Sequence, residues 1–461
     1  MKPQADAPGS AADAAGSSAD YVLKGGWYTL WFALALTLFA FVDRQVLTLA
    51  AAPMSASLGL SDGELGMVQG LAFAIFSVAA VYPIAWAADR FDRRLVLGLC
   101  ILLWSLATAA CGLARNFEQL FLAAIAMAAG EAGAGPIIGS FVPELFKGRK
   151  RLLANGLMYV FGYLGVAVGL ALGGNAISAL DAAHNDLPDV LRAFESWRLT
   201  FFIVALPAPI FLVLLAFARL TKPAKASARP EDSGIEVHSE PLFWPFIWNN
   251  RSAIVPALCG LGLYMLAFGC YLVWLPVVAT RLFGATPAQN GSAMGLATAI
   301  GMVGGVVLGT WIARRLIVKL GPVATIRFFW VSMLFAAPLL IAFPFIRAAW
   351  QGYALFGILM LAGTAIGCMI PTLLQDMAPS YLRARLFAVW AIASGLIGGS
   401  APTLVGWVSQ ALGTDPRQLL VAMTIVAIPS WIAAIVLLRM AERPFANLIH
   451  HTAESERETP Q

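Results

Sequence analysis

Three ionisable side chains stand in stretches of chain that are otherwise apolar. Asp43 and Arg44 interrupt "FAFVDRQVL" (residues 39–47), and Glu131 lies in "GEAGAGP" (residues 130–136). A charge at mid-membrane costs about 3 kcal/mol or more on insertion scales, so such residues serve as proton relays, ion pathways or partners for a charged ligand by default. Neighbours on a helix point about 100° apart, so Asp43 and Arg44 address different surroundings rather than each other. Burial favours the neutral form of an acid, and a nearby guanidinium favours the charged form. The chemistry expected of the set is proton coupling at Asp43 and Glu131, with Asp43 the coupling acid. Arg44 then holds an anionic substrate group or tunes the acids. A polar cluster that only fixes helix packing is the alternative.

The elements that must position these residues are membrane helices. Of 461 residues, 60% are hydrophobic and 12% charged, and the mean hydropathy is +0.78. Twelve apolar runs are each long enough to cross a bilayer. The expected fold is all-α and integral to the membrane, as two six-helix bundles. We divide the chain into a disordered tail (1–26), a first bundle (27–218), a hydrophilic linker (219–250), a second bundle (251–439) and a second tail (440–461). The first 26 residues lack a cleavable signal pattern. With both termini cytoplasmic, the tails and even-numbered loops carry 23 of the 30 Lys and Arg residues, which sets the orientation. This bias also explains the basic balance without nucleic acid. The five Cys fall inside apolar runs and the four His outside them, so no disulfide, metal site or cofactor is expected.

The chain repeats itself. "LGLSDGELGMVQGLA" (58–72) and "FGATPAQNGSAMGLA" (283–297) lie 225 residues apart and share five identities, three of them glycines. At the same offset "WAADR" (86–90) meets "WIARR" (311–315), while Asp43 meets Phe268 and Arg44 meets Gly269. Two halves in one orientation follow the parallel-repeat plan of many secondary transporters. The second half offers weaker polarity. Tyr264, Tyr271 and Trp274 share a helix face, and Thr364, Cys368 and Thr372 form an i, i+4, i+8 stripe. Both sets are expected to line a cavity suited to an amphipathic solute, against the alternative of ordinary helix packing. Gly156, Gly165, Gly169 and Gly173 are expected to let two helix backbones approach closely.

These pieces, in this order, resemble the major facilitator superfamily and within it the spinster-like branch. The first two helices, the loop "ADRFDRR" (88–94), "GEAGAGP" and "WRLTFFIVALPA" (197–208) carry the resemblance. It implies that helices one and four face a central cavity. It also implies a cytoplasmic gate in which Asp89 caps the helix starting near Arg383, and Arg93 or Arg94 pairs with Glu144, all breaking when the inside opens. The glycine spacing of helix five is similar to the superfamily's antiporter motif, with Leu170 in place of its Pro. Spinster-like proteins usually carry an Arg seven residues before the helix-four Glu, and here that position is Ala124.

The function expected is secondary transport, by alternating access and coupled to protons, of a small amphipathic or anionic organic solute, a lysolipid among the candidates. Alternatives are a proton-driven efflux antiporter for hydrophobic compounds, an uncoupled uniporter and a non-transporting receptor. No constellation for catalysis is present, so the chain is not expected to be an enzyme. The expected partners are the bilayer, a small or lipid-like substrate and protons. A monomer in a bacterial inner membrane is expected.

Overall fold

The computed structural model describes residues 22–146, 148–218, 243–379, 382–413 and 415–458. Most of the expected first tail and linker lies outside them. Among the described residues, twelve helices are long and apolar enough to span a membrane. We label them α1 (Gly26–Leu58), α2 (Asp62–Arg90), α3 (Arg93–Leu113), α4 (Phe117–Val142), α5 (Leu153–Ala182), α6 (Ser196–Phe217), α7 (Arg251–Phe283), α8 (Pro287–Leu316), α9 (Ala324–Phe345), α10 (Ala349–Asp376), α11 (Arg385–Leu412) and α12 (Pro416–Ile449). The chain begins α1 and ends α12 at one end of the bundle, here the terminal end. The opposite end, with the α1–α2 and α7–α8 loops, is the distal end. The helix begun by α12 runs on to Glu458, with Phe445 and Leu448 buried. The expected tail from residue 440 is therefore a helical extension, packed against the bundle over its first turns.

The repeat has a structural reason at each shared glycine. Gly59 and Gly284 end α1 and α7 in the left-handed region, with φ of 64° and 65°, where a side chain would be strained. Gly66 of α2 and Gly291 of α8 lie where the halves meet. A methyl on Gly66 would collide with the Pro402 carbonyl of α11, and one on Gly291 with the Leu170 carbonyl of α5. Gly70 and Gly295 continue the same seams, against Thr403 and the Ala167 carbonyl. The halves are thus joined by α2 on α11 and α5 on α8, through close backbone approach with few side-chain bonds across it, Thr403 to the Gly66 carbonyl and Asn175 to Ser292 among them.

These seams close the distal end. Close approaches run from Gly63 beside Trp407 and Gln410 to Val78 beside Gly395. Toward the terminal end, Asp89 on α2, and Ala388, Ala391 and Ile392 on α11, are exposed. The bundle is shut distally and parts toward its terminal end.

Candidate functional site

Asp43 is 2% exposed and turned into the first bundle. One carboxylate oxygen accepts hydrogen bonds from Trp104 Nε1 and from Thr108 Oγ1, the latter at 2.8 Å; the other oxygen has no partner among the described residues. Trp104 and Thr108 are one turn apart on α3, so a single face of that helix grips the acid. The grip needs α3 close to its neighbours. A methyl on Gly130 of α4 would lie 2.7 Å from Trp104 N, and one on Gly133 would lie 2.6 Å from Cys100 Sγ. Glycines of "GEAGAGP" thus serve the Asp43 site through α3.

Arg44, rotated away from Asp43, stacks on the Phe73 ring of α2, 4.6 Å from guanidinium carbon to ring centre. Glu131 is half-buried and feels the charge of Arg44, yet the two form no ion pair. One cation and one carboxylate therefore face each other at mid-depth, both partly accessible and neither neutralised by contact. Asp43, expected to exchange protons, is buried with one oxygen held by Trp104 and Thr108, whereas Glu131 is partly accessible. Ala124, where the resemblance expects an arginine, is fully buried, so a long cation there would overpack the bundle.

In the second half, Thr364, Cys368 and Thr372 are partly exposed, but the aromatic part of the expected cavity wall is buried. Tyr264, Tyr271 and Trp274 are at most 2% exposed. Their polar tips donate to backbone carbonyls of three helices: Tyr264 to Gly363 (2.5 Å), Tyr271 to Leu340 (3.1 Å) and Trp274 to Pro402 (3.1 Å). The two tyrosines also pack on other rings, Tyr264 on Phe268 and Trp431, and Tyr271 lying 4.1 Å from Phe343. They are pins between helices, because a buried hydroxyl or indole N–H must find an acceptor. The Thr364–Cys368–Thr372 stripe is also interrupted. The α-helix of α10 ends at Gly367 and resumes at Ile370. Thr364 and Cys368 lie under Gly305 and Gly309 of α8, and Cys368 Sγ donates to the Ala365 carbonyl.

At the terminal end, Arg93 and Glu144 meet at 2.8 Å. Both belong to the first half and stay paired while this end is open, so the pair is not a contact that opening breaks. Asp89 is exposed, and Arg383 donates to the Gln375 and Ala378 carbonyls. The cap by Asp89 is absent here because the terminal ends of α2 and α11 have parted. Arg94 contributes its backbone N–H to Asp92, which caps α3. On α5, Gly165, Gly169 and Gly173 pack on α1; methyls there would lie 2.7 Å from Leu38 O, 2.7 Å from Val42 Cα and 3.1 Å from Val46 Cγ2. No described residue lies within 4 Å of a methyl placed on Gly156.

Two clusters escaped the sequence reading. Distally, Asp62 accepts from Arg281 (2.5 Å) and Ser409 (2.7 Å), and Arg281 also donates to Ser55 (2.9 Å). This latch joins α1 and α2 to α7 and α11 across the halves. At the terminal end Glu442, 4% exposed, accepts from Arg327 and Trp330 (both 2.8 Å) and Arg439 (3.0 Å). A carboxylate with so many donors fastens the α12 extension to α9. No group of His, Cys, Asp and Glu among the described residues could hold a metal.

The chain matches the Major Facilitator Superfamily profile over residues 33–402. It is 25% identical over 414 residues to an MFS-type efflux pump of Mycolicibacterium smegmatis, covering 86% of this chain and 89% of that one. It is 24% identical over 407 residues to protein spinster homolog 3 of Danio rerio, covering 83% and 77%. A bacterial homologue of the human lysosomal transporter spinster, solved inward-facing and unoccupied, superposes with a TM-score of 0.73 at 22% identity, over 97% of this chain and all of that one.

Proposed function

Because this chain belongs to the Major Facilitator Superfamily, and is a membrane transporter rather than an enzyme, we propose that it carries a small organic anion by alternating access, coupled to protons. The observation that carries this reading is Arg44 facing Glu131 without an ion pair, at mid-depth in a bundle shut at one end. An anionic solute and the Glu131 carboxylate compete for one guanidinium. Protonation of Glu131 frees Arg44 for the solute, and release of the proton expels it. Asp43 holds α1 against α3 and so fixes the rotation at which Arg44 enters the pathway. The solute extends from Arg44 over largely apolar helix faces, which suits an amphipathic anion, a lysolipid included. The basic-residue bias places the terminal end in the cytoplasm, making the state described here inward-open. Each monomer carries a complete pathway.

Similarity to an MFS-type efflux pump over most of both chains favours a second reading, outward antiport of a hydrophobic compound against protons. Purified protein in liposomes separates them. Under an imposed pH gradient the parent moves a panel of organic anions, Arg44→Gln loses that transport, and Glu131→Gln keeps binding but ignores the gradient. Retention of the parent's gradient dependence in Glu131→Gln would end the coupling assignment. Transport of neutral or cationic hydrophobic compounds that survives Arg44→Gln would favour the second reading.

A further inference from the structure

The repeated pentapeptides "WAADR" and "WIARR" fold into the same device twice. Arg90 stacks on Trp86 with its guanidinium carbon 4.2 Å from the ring centre, and Arg315 stacks on Trp311 at 3.9 Å. Each pair is one helical turn apart, at the terminal end of α2 and of α8. Both rings are exposed, Trp86 by 45% and Trp311 by 52%, and both arginines are exposed. Trp86 and Arg90 point away from the α2 faces that meet α4, through Ser77 and Ile84, and α11, through Ala74 and Val78. On α8, Trp311 continues the exposed stripe of Ile300, Val303 and Val307, opposite the α5 seam at Gly291 and Gly295. The pairs therefore face the lipid.

The other arginines stacked on a tryptophan spend their donors on the protein. Arg198, over Trp197, donates to the Gly112 and Ala114 carbonyls. Arg439, over Trp330, binds Glu442, and Arg251, over Trp248, donates to the Trp248 carbonyl. Arg90 and Arg315 have no acceptor among the described residues. A Trp ring settles at the boundary of hydrocarbon and headgroups. Stacking holds the guanidinium plane fixed, and a fixed guanidinium presents paired donors that match two phosphate oxygens. We infer that Trp86–Arg90 and Trp311–Arg315 are a pseudo-symmetric pair of binding sites for the phosphate of anionic phospholipid headgroups, one on each half. The second is the stronger, since Arg315 has Arg314 beside it in sequence whereas Arg90 has Asp89.

The test uses full-length purified protein in detergent, with thermal stability followed as phosphatidylglycerol, phosphatidylcholine or inorganic phosphate is added. Phosphatidylglycerol should raise the melting temperature more than phosphatidylcholine does, and inorganic phosphate should leave it unmoved. Arg90→Gln/Arg315→Gln should lose more than half of the phosphatidylglycerol shift, and Arg315→Gln alone should lose more than Arg90→Gln alone. Arg90→Lys/Arg315→Lys keeps the charge without the plane and should also lose most of it. Lys24→Gln/Arg151→Gln removes as much charge elsewhere at the same end and should keep the shift. The inference is overturned if the glutamine pair retains the parent's shift, if the Lys24/Arg151 control loses as much, or if inorganic phosphate reproduces the effect.

Discussion

The two halves share a backbone plan and differ in what they bury at mid-depth. The first half encloses Asp43 in a Trp–Thr grip and sets Arg44 against Glu131. At the repeat offset the second half has Phe268 and Gly269, and where α4 reads Ala-Gly-Glu-Ala (129–132) α10 reads Ala-Gly-Thr-Ala (362–365). Its buried Tyr and Trp tips sit on backbone carbonyls, and its buried acid, Glu442, lies at the terminal end. One half thus holds the mid-depth charge and the other gives it a firm surface to move against. An isolated mid-membrane charge is costly, so confining charge to one half halves that cost while keeping two bodies that can rock.

The largest test of this asymmetry is Arg44→Gln. A charged hydrogen-bonding partner contributes about 1.5–3 kcal/mol, so transport of an anionic substrate at low concentration should fall by roughly 10- to 100-fold. Gly269→Ala, at the repeat-related position, brings a methyl to 3.2 Å from Ala401 Cβ and should lose far less transport than Arg44→Gln in the same liposome assay. Equal losses would remove the asymmetry.

Next in size is Trp104→Phe, which takes a donor from a buried carboxylate and leaves space behind. Destabilisation of about 2–3 kcal/mol is expected, read as a lowered melting temperature. Asp43→Asn should cost less, since its amide oxygen still accepts from both donors. A stable Trp104→Phe variant would mean that the grip is incidental.

Arg281→Gln breaks the distal latch. Because the pair is partly solvated, about 1 kcal/mol is expected, or roughly a fivefold shift toward the distally open state. Labelling of a Cys placed at Leu60 should quicken accordingly. An unchanged rate would show that the glycine seams hold the distal end without help.

The smallest effect belongs to Tyr271→Phe. Loss of one hydroxyl-to-carbonyl bond costs about 1 kcal/mol, and transport should persist with the parent's substrate preference. A change of preference would return Tyr271 to the substrate pathway and blur the division between the halves.

What was legible in the sequence follows from contrast. Apolar runs of membrane length, a repeat at constant offset, and Asp43, Arg44 and Glu131 all stand out against their surroundings. Trp104 and Thr108 do not, since a Trp in an apolar helix reads as bulk and only the fold reveals which acid its N–H meets. Asp62, Arg281 and Ser409 lie near helix ends, where polarity is ordinary, and Asp62 and Arg281 are 219 residues apart. Tyr264, Tyr271 and Trp274 were expected together on one cavity-facing side, yet their tips reach three different helices. Their surroundings were misjudged because periodicity gives a direction but not what lies there. The same limit separates Gly156, whose added methyl would meet no described residue, from Gly165, Gly169 and Gly173, which meet α1. Asp89 was placed for a closed terminal end, and a single conformation displays one end closed at a time.

The glycine seams have a mechanical consequence. Interlocked side chains work like gear teeth: parting them means resetting rotamers, and each reset adds friction. At Gly66 on Pro402 and Gly291 on Leu170 the bearing surfaces are smooth, so the halves can roll apart while surrendering contact but reordering few side chains. Such a bearing has little tolerance for grit. One methyl group at Gly66 or Gly291 would act as a wedge at the fulcrum, so the smallest possible substitution has its greatest leverage far from the charges that the motion serves.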